Sequence, residues 1–338
     1  MSKEQVADLV APHPDTLELV STWLEYKGVP PSSISISHGG GWLTVIGVPV
    51  SQANDLLGAS YQLYYHARTN DTILRTADYA LPAVLHTHVR TIVPTTAFTS
   101  SGVLQQAPRS RPGGASPAQA GNVTMGEPAN ALSRRDPDEI ITPSVLRSMY
   151  KMEAFVPSGR EDNALGIVGF ENQYPRMSDV RDFMRKYRTG EGPPNLRVET
   201  VNLNPGPLLK LIESQVANLG AQYASALASP TPIRYYVGIT DGVGSVGPGD
   251  RYTEWLDYMA AKTSVPLTIS MAYGPTSESS ISLEYAVSVC ELFGQLGARG
   301  VSIFVASGDG GVGAGGCQNA DGSVQFYTTF PASCTCGV

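Results

Sequence analysis

No histidine follows His88. All five, at positions 13, 38, 66, 86 and 88, lie near the front of a 338-residue chain. The rest of the chain therefore cannot build a Ser-His-Asp triad from its own residues, nor a histidine-ligated metal site. Basic residues are also in short supply. Lys and Arg number 23 against 30 Asp and Glu, for a net charge of -7. With no basic cluster, that balance argues against a nucleic-acid surface. No apolar run approaches the roughly 18 residues that a membrane-spanning helix needs. The opening Met1-Ser2-Lys3-Glu4 lacks the basic-then-apolar pattern of a signal segment, which taken alone points to the cytosol. Cysteine is sparse, four in all, with three at 317, 334 and 336. No histidine lies near them and their spacing fits no zinc finger. Cys317 and Cys334 bracket a glycine-rich loop, which leaves two readings open: a disulfide, or free buried thiols. Asn70-Asp71-Thr72 and Asn122-Val123-Thr124 are glycosylation sequons and point away from the cytosol.

What is present divides the chain into three parts. Residues 1–99 read as a small α+β unit. Asp15 is expected to cap a helix whose apolar face carries Leu17, Leu19, Val20, Trp23 and Leu24. Short strands, 34–36 and 42–45, flank a triple-glycine turn at Gly39 to Gly41. A helix follows over 50–57, then two strands over 61–66 and 72–79. Residues 100–138 are dominated by Ser, Ala, Pro and Gly and read as a flexible linker. From about 139 the pattern becomes strand and helix in alternation. Strands are expected at 165–170, 198–203, 234–239, 267–272 and 301–306, and helices near 178–187, 207–226, 252–263 and 282–297. Such alternation predicts an α/β fold with a doubly wound parallel sheet. Gly242-Val243-Gly244-Ser245-Val246-Gly247 has the Gly-x-Gly-x-x-Gly spacing, but the acidic residue that a dinucleotide site needs downstream is not convincingly placed.

The stretch from Glu284 to Gly313 carries the most information. Val287, Cys290, Leu292, Phe293 and Leu296 suit one helical face. Gly297 and Gly300 end that helix, and Val301 to Ala306 reads as a buried parallel strand. Ser307-Gly308-Asp309 then falls where α/β folds place their sites, beyond the strand's carboxyl end. Here the chain resembles the sedolisins, or serine-carboxyl peptidases, and in particular the fungal secreted tripeptidyl-peptidases. The resemblance rests on Leu292 to Ser302, Ala306-Ser307-Gly308-Asp309 and Phe330-Pro331-Ala332-Ser333-Cys334. It extends to Glu254-Trp255-Leu256-Asp257-Tyr258 and Ser270-Met271-Ala272-Tyr273-Gly274. In the front part, Val20 to Leu24 and Ala80-Leu81-Pro82 are similar to that family's activation propeptide.

The resemblance implies a subtilisin-like sheet preceded by a propeptide that packs on its own peptidase domain. It also implies a peptide or protein substrate, secretion, and hydrolysis at acid pH. In the family a glutamate activates a serine nucleophile, an aspartate orients the glutamate, and a second aspartate assists the oxyanion. Asp309 matches that second aspartate, and a protonated Asp309 would donate to the tetrahedral oxyanion. Ser270, Tyr273 and Gly274 match a substrate-binding segment. The glutamate and the first aspartate lie four residues apart on one helix, hence on one face. Here the matching run is Val216-Ala217-Asn218-Leu219-Gly220-Ala221-Gln222-Tyr223, with Val216 and Gly220 where the carboxylates belong. Glu213, expected one helical turn earlier, would sit roughly 5 Å too far along the axis to replace the glutamate. The family's Gly-Thr-Ser segment and calcium loop have no counterpart after Cys334. The expectation is therefore a chain incomplete at both ends and catalytically silent. The alternative is a pseudopeptidase that binds peptide or a related peptidase.

Overall fold

The computed structural model describes residues 1–65, 72–96, 98, 140–170, 173–188, 192–201, 212–213, 215–238, 248–272, 276–278, 281–308, 323, 326 and 328–335. The expected linker at 100–138 lies outside them, as do the sequon residues Asn70 and Asn122.

The front unit opens with α1 (Lys3–Val10). Ser2 caps it, and Gln5 returns a bond to the cap backbone, so two otherwise unmatched amides are satisfied reciprocally. The sequence signal for this helix, Ser-x-x-Gln, is present at positions 2 to 5. Helix α2 (Pro14–Tyr26) is capped by His13, whose ring nitrogen accepts from the Asp15 amide. Asp15 therefore sits in the first turn, favourable to the helix dipole, and is not the cap. Strands β1 (Ile34–Ile36) and β2 (Leu43–Val45) pair antiparallel around the glycine turn. Gly40 adopts a φ of +73° there, and an added Cβ would lie 2.9 Å from Pro12. Only glycine fits both the conformation and the space. Helix α3 (Val50–Leu57) ends at the left-handed Gly58, and the antiparallel pair β3 (Gln62–Tyr65) and β4 (Thr72–Arg75) follows. Val20, Leu24, Val29, Leu56, Leu57 and Leu85 form this unit's own core.

After α4 (Pro143–Met149), strands and helices alternate. They are β5 (Leu165–Gly169), β6 (Gln173–Tyr174), α5 (Met177–Tyr187), β7 (Leu196–Val201), β8 (Ile212–Glu213), α6 (Gln215–Ala228), β9 (Ile233–Gly238), α7 (Pro248–Ala261), β10 (Thr268–Met271), β11 (Thr276–Ser277), α8 (Leu283–Ala298), β12 (Ser302–Val305) and β13 (Thr329–Phe330). Five of them make one sheet in the order β12-β10-β5-β9-β7, with every pairing parallel. This is the expected α/β architecture, with strand ends shifted by one or two residues. The expected 207–226 helix is shorter and later. Ile212–Glu213 is instead a strand paired with Gln173–Tyr174. Glu213 is thus in extended chain, not a helical turn ahead of Val216.

Each sheet face is packed by one helix pair. On one, Val168, Tyr236, Ile269, Met271 and Ile303 meet Trp255, Leu256 and Met259 of α7 and Val289, Phe293 and Leu296 of α8. On the other, Ile167, Ile233, Tyr235 and Val237 meet Ala217 and Ala221 of α6 and Val180 of α5. Gly169 makes room on that second face, since a Cβ there would lie 2.3 Å from the Tyr235 hydroxyl.

The front unit packs on the outer surface of α7 and α8. The Lys3 ammonium donates to the carbonyl of Ala261 at 3.0 Å, at the electronegative end of α7. The backbone N–H of His38 donates to the Asp257 carboxylate at 3.2 Å. Arg90 pairs with Glu291 of α8 at 2.7 Å.

Candidate active-site edge

The carboxyl ends of β5, β10 and β12 line up along one edge of the sheet, and α6 begins beside it. The register shows what shares this edge. Ile167 is opposite Ser270, and Ser270 is opposite Phe304. These three therefore form one row on the second face. A Cβ added to Gly220 would touch Ile167 at 3.9 Å, an ordinary contact, so Gly220 stands over the inner end of that row. Val216 lies one helical turn earlier, on the same flank by its four-residue spacing. It is 41% exposed, and Leu219 beside it is 59% exposed.

The opposite flank of α6 is tied down. The Arg176 amide donates to the side-chain oxygen of Asn218 at 2.7 Å. The Asn218 side-chain amide in turn donates to Asp179 at 2.8 Å. Asn218 thus fixes α6 against the start of α5. The Asn of the Ala-Asn-Leu run has this positioning role, which the sequence reading did not assign to it.

The turn after β12 is anchored from below. The Ala306 amide donates to the carbonyl of Met271 at 3.0 Å. Thr329 of β13 donates its hydroxyl to the carbonyl of Ser307 at 3.2 Å. Gly308 has a φ of +92°, a conformation that suits glycine and turns the chain sharply at this edge. Strand β13 is held by Phe330, which is 1% exposed and packs edge-on against Tyr252 at 5.7 Å. Just beyond it, Cys334 is bonded to Cys290 of α8. This corrects the expected Cys317–Cys334 pair. Proximity in sequence favoured Cys317, but the turn after β13 returns the chain onto α8, where Cys290 packs against the core.

Of the expected site residues, Gly220 faces Ile167, the register partner of Ser270, and Val216 lies one turn before Gly220 on α6. Asp309, Tyr273, Gly274 and Cys317 lie outside the described residues. Among the described residues no three acidic, histidine or cysteine side chains converge as metal ligands. A second polar cluster lies on the first face. Lys262 donates to Glu199 at 2.7 Å and to the Tyr258 hydroxyl at 3.0 Å. Burial alone would pull the Lys262 ammonium down, but its bonds to Glu199 and Tyr258 leave it raised overall. Burial likewise pushes the neighbouring Tyr236 phenol up. These groups brace α7 against β7 and β9.

The second unit is a parallel α/β sheet packed by helices on its faces, and the front unit is a separately cored domain packed beside it. Comparison places both. Residues 1–98 match the family described as "Pro-kumamolisin, activation domain". Over 99% of its length the chain is 30% identical to the Trichophyton verrucosum protein named "Probable tripeptidyl-peptidase SED3", spanning 56% of that relative. It is 29% identical to tripeptidyl-peptidase SED2 of Arthroderma otae, again over 99% of this chain and 56% of the relative. A solved structure of Pseudomonas sedolisin, a serine-carboxyl proteinase, superposes with a TM-score of 0.44 at 15% identity, covering 58% of this chain and 52% of that one. The chain belongs to the sedolisin family. It spans about half the length of the curated relatives it matches.

Proposed function

We propose that this chain is a non-catalytic member of a peptidase family whose relatives are tripeptidyl-peptidases. It keeps the propeptide-on-peptidase layout but has lost the carboxylate pair that transfers the proton. The observation that carries this reading is the flank of α6. The two positions four residues apart on α6 where the resemblance puts the carboxylates are occupied by Val216 and Gly220, and neither side chain can accept a proton. Glu213 does not replace them, because it belongs to β8 and not to α6. Losing one member of a cooperating catalytic set removes most of the rate, and losing a second adds little. Peptide remains the natural ligand of such an edge, and the Cys290–Cys334 bond supports an oxidising, extracellular setting.

The test is direct. The purified chain is incubated with a fluorogenic tripeptidyl-amide at pH values from 3 to 8, beside a heat-denatured control. No turnover above the control is expected. Turnover that follows the folded protein through gel filtration would overturn the proposal.

A further inference from the structure

The stretch from Met149 to Val156 puts four large apolar side chains in solvent. Met149 is 38% exposed, Tyr150 71%, Phe155 57% and Val156 82%. None of the four belongs to a hydrophobic core. Single exposed apolar residues are ordinary on a protein surface, whereas a contiguous group of them marks a contact site. The group is contiguous because Arg147 folds the stretch back on itself. From the last turn of α4 its guanidinium donates to the carbonyl of Glu153 at 3.4 Å and to that of Phe155 at 2.7 Å. The Met152 amide donates to the carbonyl of Arg147 at 2.7 Å, and the Phe155 amide to that of Met152 at 3.0 Å. A further bond from Arg147 reaches the carbonyl of Leu227 on α6 at 3.5 Å and fastens the loop to the domain.

The loop is therefore held in one shape before anything binds it, which lowers the ordering cost of a contact. Lys151 has a φ of +54°, a left-handed conformation that a lysine keeps only where its surroundings enforce it. Its amide donates to the carbonyl of Ser148 at 3.1 Å, and the Met152 bond closes the other side. The charges at the rim indicate the occupant. Lys151 and Glu153 are both exposed, and neither has an ion-pair partner among the described residues. Together they are neutral, on a chain whose net charge is -7, so two copies can meet here without adding like charge. In a two-fold contact, residue i of one copy meets residue j of the other, and j meets i. Lys151 and Glu153 fit that rule, giving two equivalent ion pairs beside an apolar centre.

We propose that the loop from Met149 to Val156 is a self-association surface, on which a second copy of this chain docks about a two-fold axis. Phe155 and Val156 pack against their counterparts, Met149 and Tyr150 flank them, and Lys151 of each copy faces Glu153 of the other. A loop of this size offers less than the roughly 800 Å² per partner of a standard interface, so the dimer is weak and forms at high concentration. The proposal is independent of whether the chain hydrolyses peptides.

Sedimentation velocity of the whole chain, from about 5 µM to about 0.5 mM, is expected to show a reversible monomer–dimer equilibrium in the upper part of that range. Phe155→Glu should weaken it roughly tenfold or more. Tyr26→Glu, at an exposed position of the front unit, should leave it unchanged. Lys151→Glu and Glu153→Lys should each weaken the dimer, because each sets like charges opposite one another. An equimolar mixture of those two variants should dimerise as well as wild type, since both ion pairs are then restored between unlike copies. Circular dichroism and thermal melting of each variant confirm that it folds. A chain that stays monomeric over the whole range would overturn the proposal. So would a dimer that the folded Phe155→Glu variant leaves intact, since the contact would then lie elsewhere. Failure of the mixture to recover association would refute the two-fold pairing of Lys151 with Glu153, and the proposal with it.

Discussion

If Val216 and Gly220 are vacated catalytic positions and not packing positions, restoring both carboxylates should cost little stability. The Val216→Glu/Gly220→Asp variant tests this. Val216 is 41% exposed, so losing its burial costs about 1 kcal/mol of the 1.5–3 kcal/mol available to a fully buried valine. It is the second residue of α6, where a carboxylate recovers about 0.3–1 kcal/mol from the helix dipole. At Gly220 the new Cβ would meet only Ile167 at 3.9 Å, so no neighbour must move. Replacing a helical glycine by aspartate recovers about 0.3 kcal/mol of propensity. Two like charges four apart then cost about 0.2–0.5 kcal/mol. The sum is a change within about 1 kcal/mol, or roughly 2–4 °C in melting temperature for a domain of this size. The repulsion also predicts a pH dependence. Each carboxylate raises the folded-state pKa of the other, so the coupling penalty is present above that pKa and fades as pH falls through it. The assay is chemical unfolding of the wild type, both single variants and the double variant at pH 7 and pH 4, read as a double-mutant cycle. A loss above about 3 kcal/mol at pH 7 would refute the reasoning, because it would show that both positions are held by packing.

Two other perturbations test the junction and the covalent framework. Burial holds the Asp257 carboxyl above its ordinary range, although the His38 amide opposes this. Its charged form therefore costs stability above the unfolded-state pKa, and the cost disappears as pH drops below it. Asp257→Asn keeps an acceptor for His38 and should be more stable than wild type at pH 7 but not at pH 3. Equal stability differences at both pH values in urea titrations would contradict this. The Cys290–Cys334 bond closes a sequence separation of 44 residues. In the chain-entropy account the double alanine variant should lose up to about 4 kcal/mol. Reductant should destabilise wild type to a similar extent and leave the variant unaffected, whereas Cys317→Ala should behave as wild type. A Cys317→Ala protein that loses the reductant response would restore the pairing expected from sequence.

Much of the α/β part was legible because its strands and long helices have strong periodicity. Strands β5, β9, β10 and β12 and helices α5, α7 and α8 fall close to where their patterns place them. Short elements were less visible. Helix α1 has eight residues and α4 has seven, too few for a full apolar stripe, and their signals are caps at Ser2 and Thr142. The start of α6 was misplaced because Ile212 has the right spacing to Val216 for a helix. A long-range pairing of 212–213 with 173–174 took those residues instead.

The sequence by itself determined the family and the alternation of strand and helix. It also determined the chemical fact that Val216 and Gly220 bear no carboxylate, since these follow from residue identity and local spacing. Only the tertiary structure decided which cysteine Cys334 meets and how Asn218 ties α6 to the start of α5. Each of these depends on segments far apart in the chain being brought together by packing, and local pattern carries no record of that.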